Sequence, residues 1–467
     1  MSRIRALFKN ISYSLFSNGL NLLISLLLVL FVPKILGITS YSYWQLYVFY
    51  TSFSGFMNIG WVEGLYLKLG GENIKTLDKS DVSSQFYIFL IYSLLISGIL
   101  YTGGSLFLIN PDEKFVFQMF SIATFFTITR GFLQFIFQSI DEIKKYSKTL
   151  LLDRIIYSLI VVALLSLGYQ NYKGLIIIDI FTKVIGFFYT IYLAQDILIK
   201  DIIINRNTFL RIKDNIKIGL NLLLSNIASQ LIIGITRIMI KNNWSIEVFG
   251  KVSLSLSLTS FFMIFINAIG IVIFPFLKKY SEEEYPSIYK KSYELLTTLL
   301  LGILIFYYPV NILIKFWLPE YFDSIEYMIF LLPMCIYESL NLIITNSFLK
   351  ALRQERKMLI INVSSLLVSV IFNVVAVYIF DDLKIVLFGL LLSIVFKSTY
   401  SDFFLRKKMS MNFSVYNSIR TFLVVIIFII LNLNLSNGIS FLLYLIILII
   451  IGLKNKKSIK LTILGSE

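Results

Sequence analysis

Apolar runs of about 20 residues, each closed by a short polar break, recur from one end of this chain to the other. A run of that length crosses the hydrocarbon of a bilayer as a helix, because only a helix satisfies its own backbone polar groups where there is no water. The pattern predicts spans at 11–32, 41–61, 82–109, 114–140, 149–167, 174–194, 216–240, 250–276, 293–317, 325–348, 358–380, 384–405, 417–434 and 437–453. Pro33, Pro275, Pro309 and Pro333 fall in or at the ends of spans, where proline kinks a helix. No loop is long enough for a separate catalytic domain, the longest lying around 195–215.

The polar breaks alternate in charge. Of the 42 Lys and Arg, 29 lie on every second loop and on the two tails, against at most 7 on the intervening loops. The Lys/Arg-rich side is the cytoplasmic one, which places both termini in the cytoplasm and requires an even number of spans. Adding or removing a single span would scramble the alternation. The N-terminal basic stretch and the apolar run from Ile11 are read as a retained first helix, since the run is too long for a signal peptide.

Composition agrees. Mean hydropathy is +0.82, 57% of residues are hydrophobic and only 15% are charged, where a soluble domain carries about 25%. The net charge of +15 is dispersed over short loops, which points to anionic lipid and away from nucleic acid. With no histidine and the single Cys335, His general bases, Ser-His-Asp triads, His-ligated metals and an internal disulfide are all excluded, and no cofactor is implied. The fold expected is an all-α integral membrane protein of the cell membrane.

A short repeat divides it. Residues 19–25, Gly-Leu-Asn-Leu-Leu-Ile-Ser, match residues 219–225, Gly-Leu-Asn-Leu-Leu-Leu-Ser, six spans later. An even separation gives both copies the same orientation, a parallel repeat about an axis along the membrane normal. We therefore expect two six-helix lobes, 1–200 and 210–405, with two appended helices at 417–453, and a substrate cleft between the lobes. Asn18, Asn21, Asn221, Asn226 and Gln230 either line that cleft or bond neighbouring helices.

The stretch Pro33-Lys34-Ile35-Leu36-Gly37-Ile38-Thr39-Ser40-Tyr41-Ser42, followed by an aromatic span and Asn58-Ile59-Gly60, resembles the start of bacterial Wzx-type polysaccharide flippases of the multidrug/oligosaccharidyl-lipid/polysaccharide exporter superfamily. Gly64-Leu65-Tyr66-Leu67-Lys68-Leu69-Gly70-Gly71 is similar as well, while Ser42 departs from the family's usual glycine. The motifs cover the first seventy residues; the topology covers the whole chain. The resemblance implies export of undecaprenyl-diphosphate-linked glycan repeat units by alternating access. The lipid II flippases of that superfamily also have fourteen helices, the last two forming a groove for the lipid tail.

Ionisable groups inside spans are costly and mark function by default. Arg130 has no acidic residue three or four positions away, so it either meets a diphosphate, which its guanidinium fork matches, or pairs with another helix or snorkels. Lys397 also lacks a partner within its helix. Glu338 is either a coupling site or the partner of Lys397. Asp179 and Lys183, four apart, pair on one face as a structural or a coupling element. Arg237 sits toward the outer end of its span. Asp153 and Arg154 are expected to be solvated, and Trp44, Trp61 and Trp317 to anchor at the interface. The substrate-binding set is Arg130, Lys183, Arg237, Lys397, Asn21 and Asn221, with Asp179 and Glu338 for coupling. Unpaired Arg130 and Lys397 favour a lipid-linked oligosaccharide flippase, whose partners are its substrate, the membrane lipids and a glycan polymerase. A cation-coupled multidrug exporter is the alternative, and a membrane-embedded polysaccharide polymerase a weaker one for want of a catalytic external loop.

Overall fold

In the computed structural model, residues 2–200, 202–277, 283–411 and 416–463 are described, apart from the side chains of 2–23, 25, 264–277, 355, 416–417 and 454–463. The described chain is helical throughout, and it is a multi-pass membrane protein. In order come α1 (Ser2–Thr51), α2 (Trp61–Leu69), α3 (Lys79–Phe107), α4 (Pro111–Ser139), α5 (Ile143–Ser166), α6 (Tyr172–Leu193), α7 (Gln195–Leu198), α8 (Arg206–Asn243) and α9 (Ile246–Leu277). They are followed by α10 (Tyr285–Leu301), α11 (Tyr307–Trp317), α12 (Asp323–Leu331), α13 (Met334–Leu340), α14 (Asn346–Ala351), α15 (Glu355–Val375), α16 (Leu383–Lys408), α17 (Tyr416–Asn434) and α18 (Asn437–Ile463). Among the described residues, 11 stretches are long and apolar enough to span a membrane, and the apolar helices 418–434 and 437–453 are shorter.

The predicted first and second spans run together as α1 and are separated only at Gly37, whose φ of 70° breaks the helix four residues after Pro33. The ninth span is two helices joined by a 3-10 turn at Gly302–Phe306. The tenth breaks at Pro333 and carries a π turn at Asn341–Thr345. Several helices that follow the predicted outer loops begin at a side-chain cap: Asn110 Oδ1 accepts from the Asp112 and Glu113 amides, Asn171 from Lys173, and Asp382 from Lys384 and Ile385. Each cap satisfies backbone donors that would otherwise be orphaned.

The polarity is that of a lipid-solvated protein. Leu94, Leu95 and Ile99 on α3 and Leu367 and Ile371 on α15 are exposed, whereas many interior positions are Ser or Thr. Those hydroxyls bond their own helix four residues back, as Thr124 does to the Phe120 carbonyl at 2.8 Å and Ser393 to Gly389 at 2.8 Å. The bond satisfies a hydroxyl where no water reaches it.

The chain forms two compact units, Met1–Ile227 and Ala228–Glu467, so that the boundary falls inside α8. In the first unit an aromatic and aliphatic core around Phe86, Phe89, Phe132 and Phe137 joins α3, α4 and α7 to α2. Here α2 and the start of α8 meet backbone to backbone. A Cβ on Gly64 would lie 1.7 Å from the Asn215 carbonyl oxygen, and one on Gly219 would lie 2.0 Å from the Gly60 carbonyl oxygen. Gly60 and Gly64, four apart, and Gly219 facing them permit this approach. Around the crossing, Gln85 Oε1 accepts from Trp61 Nε1 at 2.9 Å and from Asn215 Nδ2 at 3.0 Å, and Asn58 Nδ2 donates to Glu63 Oε1 at 3.2 Å. Trp61 and Trp44 are therefore buried structural residues and not interfacial anchors, because each indole N–H finds its partner inside the protein, Trp44 with the Tyr157 hydroxyl at 3.1 Å. Trp317 is exposed.

Loop contacts sort by side. In the first unit Asp112 pairs with Lys173, both from predicted outer loops, while Arg211 meets Asp78 and Asp81, all from predicted inner ones. In the second unit Lys251–Asp323 and Lys384–Glu326 join helix ends at or beside three predicted outer loops.

Two outcomes follow. Gly219→Ala forces α2 and α8 apart and lowers stability by about 1–3 kcal/mol, read as a fall in melting temperature in detergent. Glu63, outside the membrane spans, is buried, and that burial lifts its carboxyl above the ordinary 4.5, only partly offset by the Asn58 hydrogen bond. The folded state then holds the proton more tightly than the unfolded one, so stability declines as pH rises above 4.5 through the raised value. Glu63→Gln removes that decline. The variant should melt above the parent at neutral pH, with the gap closing toward pH 4.5.

Candidate functional site

The first unit gathers its intramembrane charges along one seam formed by α1, α4, α5 and α6. On α6, Asp179, Lys183 and Gly186 follow one another at helical spacing. Lys183 is ion-paired to Asp179 Oδ2, and Tyr47 of α1 donates its hydroxyl to the same oxygen at 2.5 Å. This is the pair predicted from spacing, with a third member that spacing does not reveal. Above Gly186 lies the guanidinium of Arg130 from α4. A Cβ at position 186 would sit 2.6 Å from Arg130 Nη1, so the glycine makes room for it.

Arg130 is not unpaired as expected, and Asp153 is not solvated. Arg130 Nη1 lies 2.7 Å from Asp153 Oδ2 of α5, and both side chains are 11% exposed. A lone cation in hydrocarbon costs about 2.5–3.5 kcal/mol or more, which favours drawing a carboxylate from the next helix inward. The contact is one of charge alone. Arg130 Nη1 has no hydrogen-bond acceptor in proper geometry, and Asp153 Oδ1 has no donor, among the described residues. The guanidinium is neutralised but its planar fork of donors remains uncommitted.

The second unit solves the same problem differently. Lys397 of α16 is 5% exposed and is likewise not unpaired: its Nζ donates to Glu338 Oε1 at 3.0 Å and Oε2 at 3.2 Å, and to Ser229 Oγ of α8 at 2.9 Å. An ammonium has three donors. This one directs them at a carboxylate and a hydroxyl, closing a latch between α8, α13 and α16. Of the two roles open to Glu338, the structure shows it as the partner of Lys397. Three residues on, α13 opens into the π turn at Asn341–Thr345, a local defect common at functional sites.

Toward the predicted cytoplasmic end of α16, Asp402 pairs with Arg406 at 2.8 Å and accepts from the Tyr289 hydroxyl at 2.7 Å. The guanidinium lies over the Tyr289 and Tyr293 rings at 5.7 and 5.5 Å. The sequence reading missed this group. Its signal is the same four-residue acid–base spacing that picks out Asp179 and Lys183, with Arg406 one residue beyond the predicted span 384–405.

The remaining candidates lie apart from these groups. Arg237 donates to Ser253 Oγ at 2.8 Å and stacks 5.0 Å from the Phe249 ring, fixing α8 to α9. Asn221 is exposed, and Asn18 and Asn21, with most of the repeat at 19–25, lie outside the described side chains.

Glu338→Ala strands Lys397 and lowers stability by about 3–5 kcal/mol, and adding Lys397→Met restores most of it, as a double-mutant cycle of melting temperatures will read.

No protein-family model matches this chain, and no curated protein is similar to it. Solved structures are. An inward-facing multidrug resistance MATE family transporter of the MOP superfamily superposes with a TM-score of 0.67 at 15% identity, over 83% of this chain and 94% of that one. The lipid II flippase MurJ, in an inward closed conformation, gives 0.66 at 12% identity, over 96% of this chain and 99% of that one. A MATE structure in the bent conformation gives 0.54 at 13% identity, over 87% and 95%. With its two units, its all-helical membrane spans and these superpositions, the chain has the fold of MOP-superfamily transporters.

Proposed function

We propose that this protein is a flippase that moves undecaprenyl-diphosphate-linked oligosaccharide repeat units from the inner to the outer leaflet of the cytoplasmic membrane by alternating access. The observation that carries the reading is the extent of the likeness to the lipid II flippase. It covers 96% of this chain, which leaves too few residues over to omit both α17 and α18, whereas the likeness to the inward-facing multidrug transporter covers 83%.

The chemistry supports it. A diphosphate needs a permanent cation with paired donors, and Arg130 retains such a fork in the membrane interior. An incoming diphosphate would replace Asp153 as the counter-ion of Arg130, in a contact that holds no aligned hydrogen bond. Lys397 is the weaker ligand, since Glu338 and Ser229 already accept hydrogen bonds from it. Asp179 with Lys183 and Tyr47 remains the coupling element of the first unit. The partners under this reading are the lipid-linked glycan, the surrounding lipids and a glycan polymerase that receives the product.

A cation-coupled multidrug exporter is the second reading, favoured by the TM-score of 0.67 to a multidrug transporter. Against it, the membrane carboxylates of the first unit, Asp153 and Asp179, each carry a basic partner. A cationic drug would have to displace a cation already in place.

Reconstituted in liposomes with a labelled lipid-diphosphate oligosaccharide, the protein should make the glycan accessible on the opposite face. Arg130→Gln should slow this about tenfold or more, and Arg130→Lys by less, since a charged hydrogen bond contributes about 1.5–3 kcal/mol. An unchanged rate in Arg130→Gln removes the assigned ligand. No glycan movement, together with drug resistance on expression, decides for the exporter.

A further inference from the structure

The outer end of the first unit carries a groove of about 560 Å³, lined by Ser40, Asp112 and the turn from Gly168 to Lys173. It is built from the three predicted outer loops of that unit, and its volume is that of a small-molecule site, typically about 300–1,000 Å³. None of the intramembrane charged groups described above belongs to it.

Its walls are organised. The Tyr172 hydroxyl donates to Asp112 Oδ1 at 2.5 Å, and Lys173 Nζ lies 2.8 Å from the same oxygen. One carboxylate is thereby fixed while its side chain stays 39% exposed. The Tyr172 ring stacks on Tyr43 at 5.3 Å, which holds it in place. Tyr169 is exposed and rests against Gly174, where a Cβ would lie 2.3 Å from its hydroxyl oxygen. Gln170 is exposed beside it and makes no hydrogen bond among the described residues.

The chemistry of that surface selects a ligand class. A tyrosine face offers stacking to the C–H face of a pyranose ring, and planar carboxylate and amide groups can each bond neighbouring ring hydroxyls. Asp112 and Lys173 cancel in charge, so the groove has no attraction for a phosphate or an anionic headgroup. We propose that this groove binds an uncharged segment of a glycan chain on the outer face, holding the sugar of a delivered substrate before release. The link to delivery rests on the flippase reading; the sugar site itself rests on the groove.

The test uses the full-length protein in lipid nanodiscs and soluble neutral oligosaccharides with no lipid attached: maltotriose, chitotriose and cellotetraose. Saturation-transfer NMR at about 10 mM sugar reads dissociation constants in the millimolar range. At least one sugar should bind, and Tyr169→Ala and Gln170→Ala should each weaken it by about fivefold or more. Gln170→Ala alters an exposed residue that holds nothing in place, so its effect cannot come from misfolding. No binding by any of the three, binding indifferent to both substitutions, or displacement of the sugar by inorganic diphosphate overturns the proposal. Sugar binding that depends on Tyr169 and Gln170 upholds the site even if the liposome assay shows no glycan movement, in which case the flippase reading alone falls.

Discussion

Every intramembrane charge described here answers one constraint: an ion cannot stand alone where there is no water. Charging the interior of a helical membrane protein costs several kcal/mol per group unless an opposite charge and hydrogen bonds accompany it. Four largely buried ion pairs are the outcome, and Arg237 is met by a hydroxyl and an aromatic ring. Each one also joins helices, directly or through a tyrosine or serine, because a span rarely carries all the partners a charge requires. Arg130 draws on α5, Asp179 on α1, Lys397 on α8 and α13, and Asp402 on α10.

The pairs are not equivalent. Lys397 is held by a carboxylate and a hydroxyl with good geometry, which makes it a fastening between helices. Arg130 touches its carboxylate by charge alone and leaves its donors unaligned. A cation that is neutralised but not hydrogen-bonded is tolerated in the resting protein and is still able to accept a better anion. That difference separates a candidate ligand from a structural pair more sharply than the presence of charge does.

The Asp179–Lys183 pair and the alternation of loops were legible along the chain because both are local. Four residues bring two side chains onto one helix face, and each loop carries its own charge to its own side. The pairing of Arg130 with Asp153 was not legible, since the two lie on different helices and only packing brings them together. The same holds for Trp61. An indole near a predicted span end looks like an interfacial anchor until Gln85 of a neighbouring helix turns out to accept its N–H. The Gly64–Gly219 crossing was equally hidden, because a glycine in a helical stretch does not say whose backbone it admits.

By itself the sequence determined that hydrocarbon is the solvent, how the helices alternate in direction, and which side chains would be costly to bury. These depend on transfer free energy, which each segment carries independently of the rest. Only the tertiary structure decided how the costs are met: which carboxylate comes to Arg130, which hydroxyl to Lys397, and which three loops close around the outer groove. Those outcomes depend on distances between segments far apart in the chain, and such distances exist only once the helices have packed.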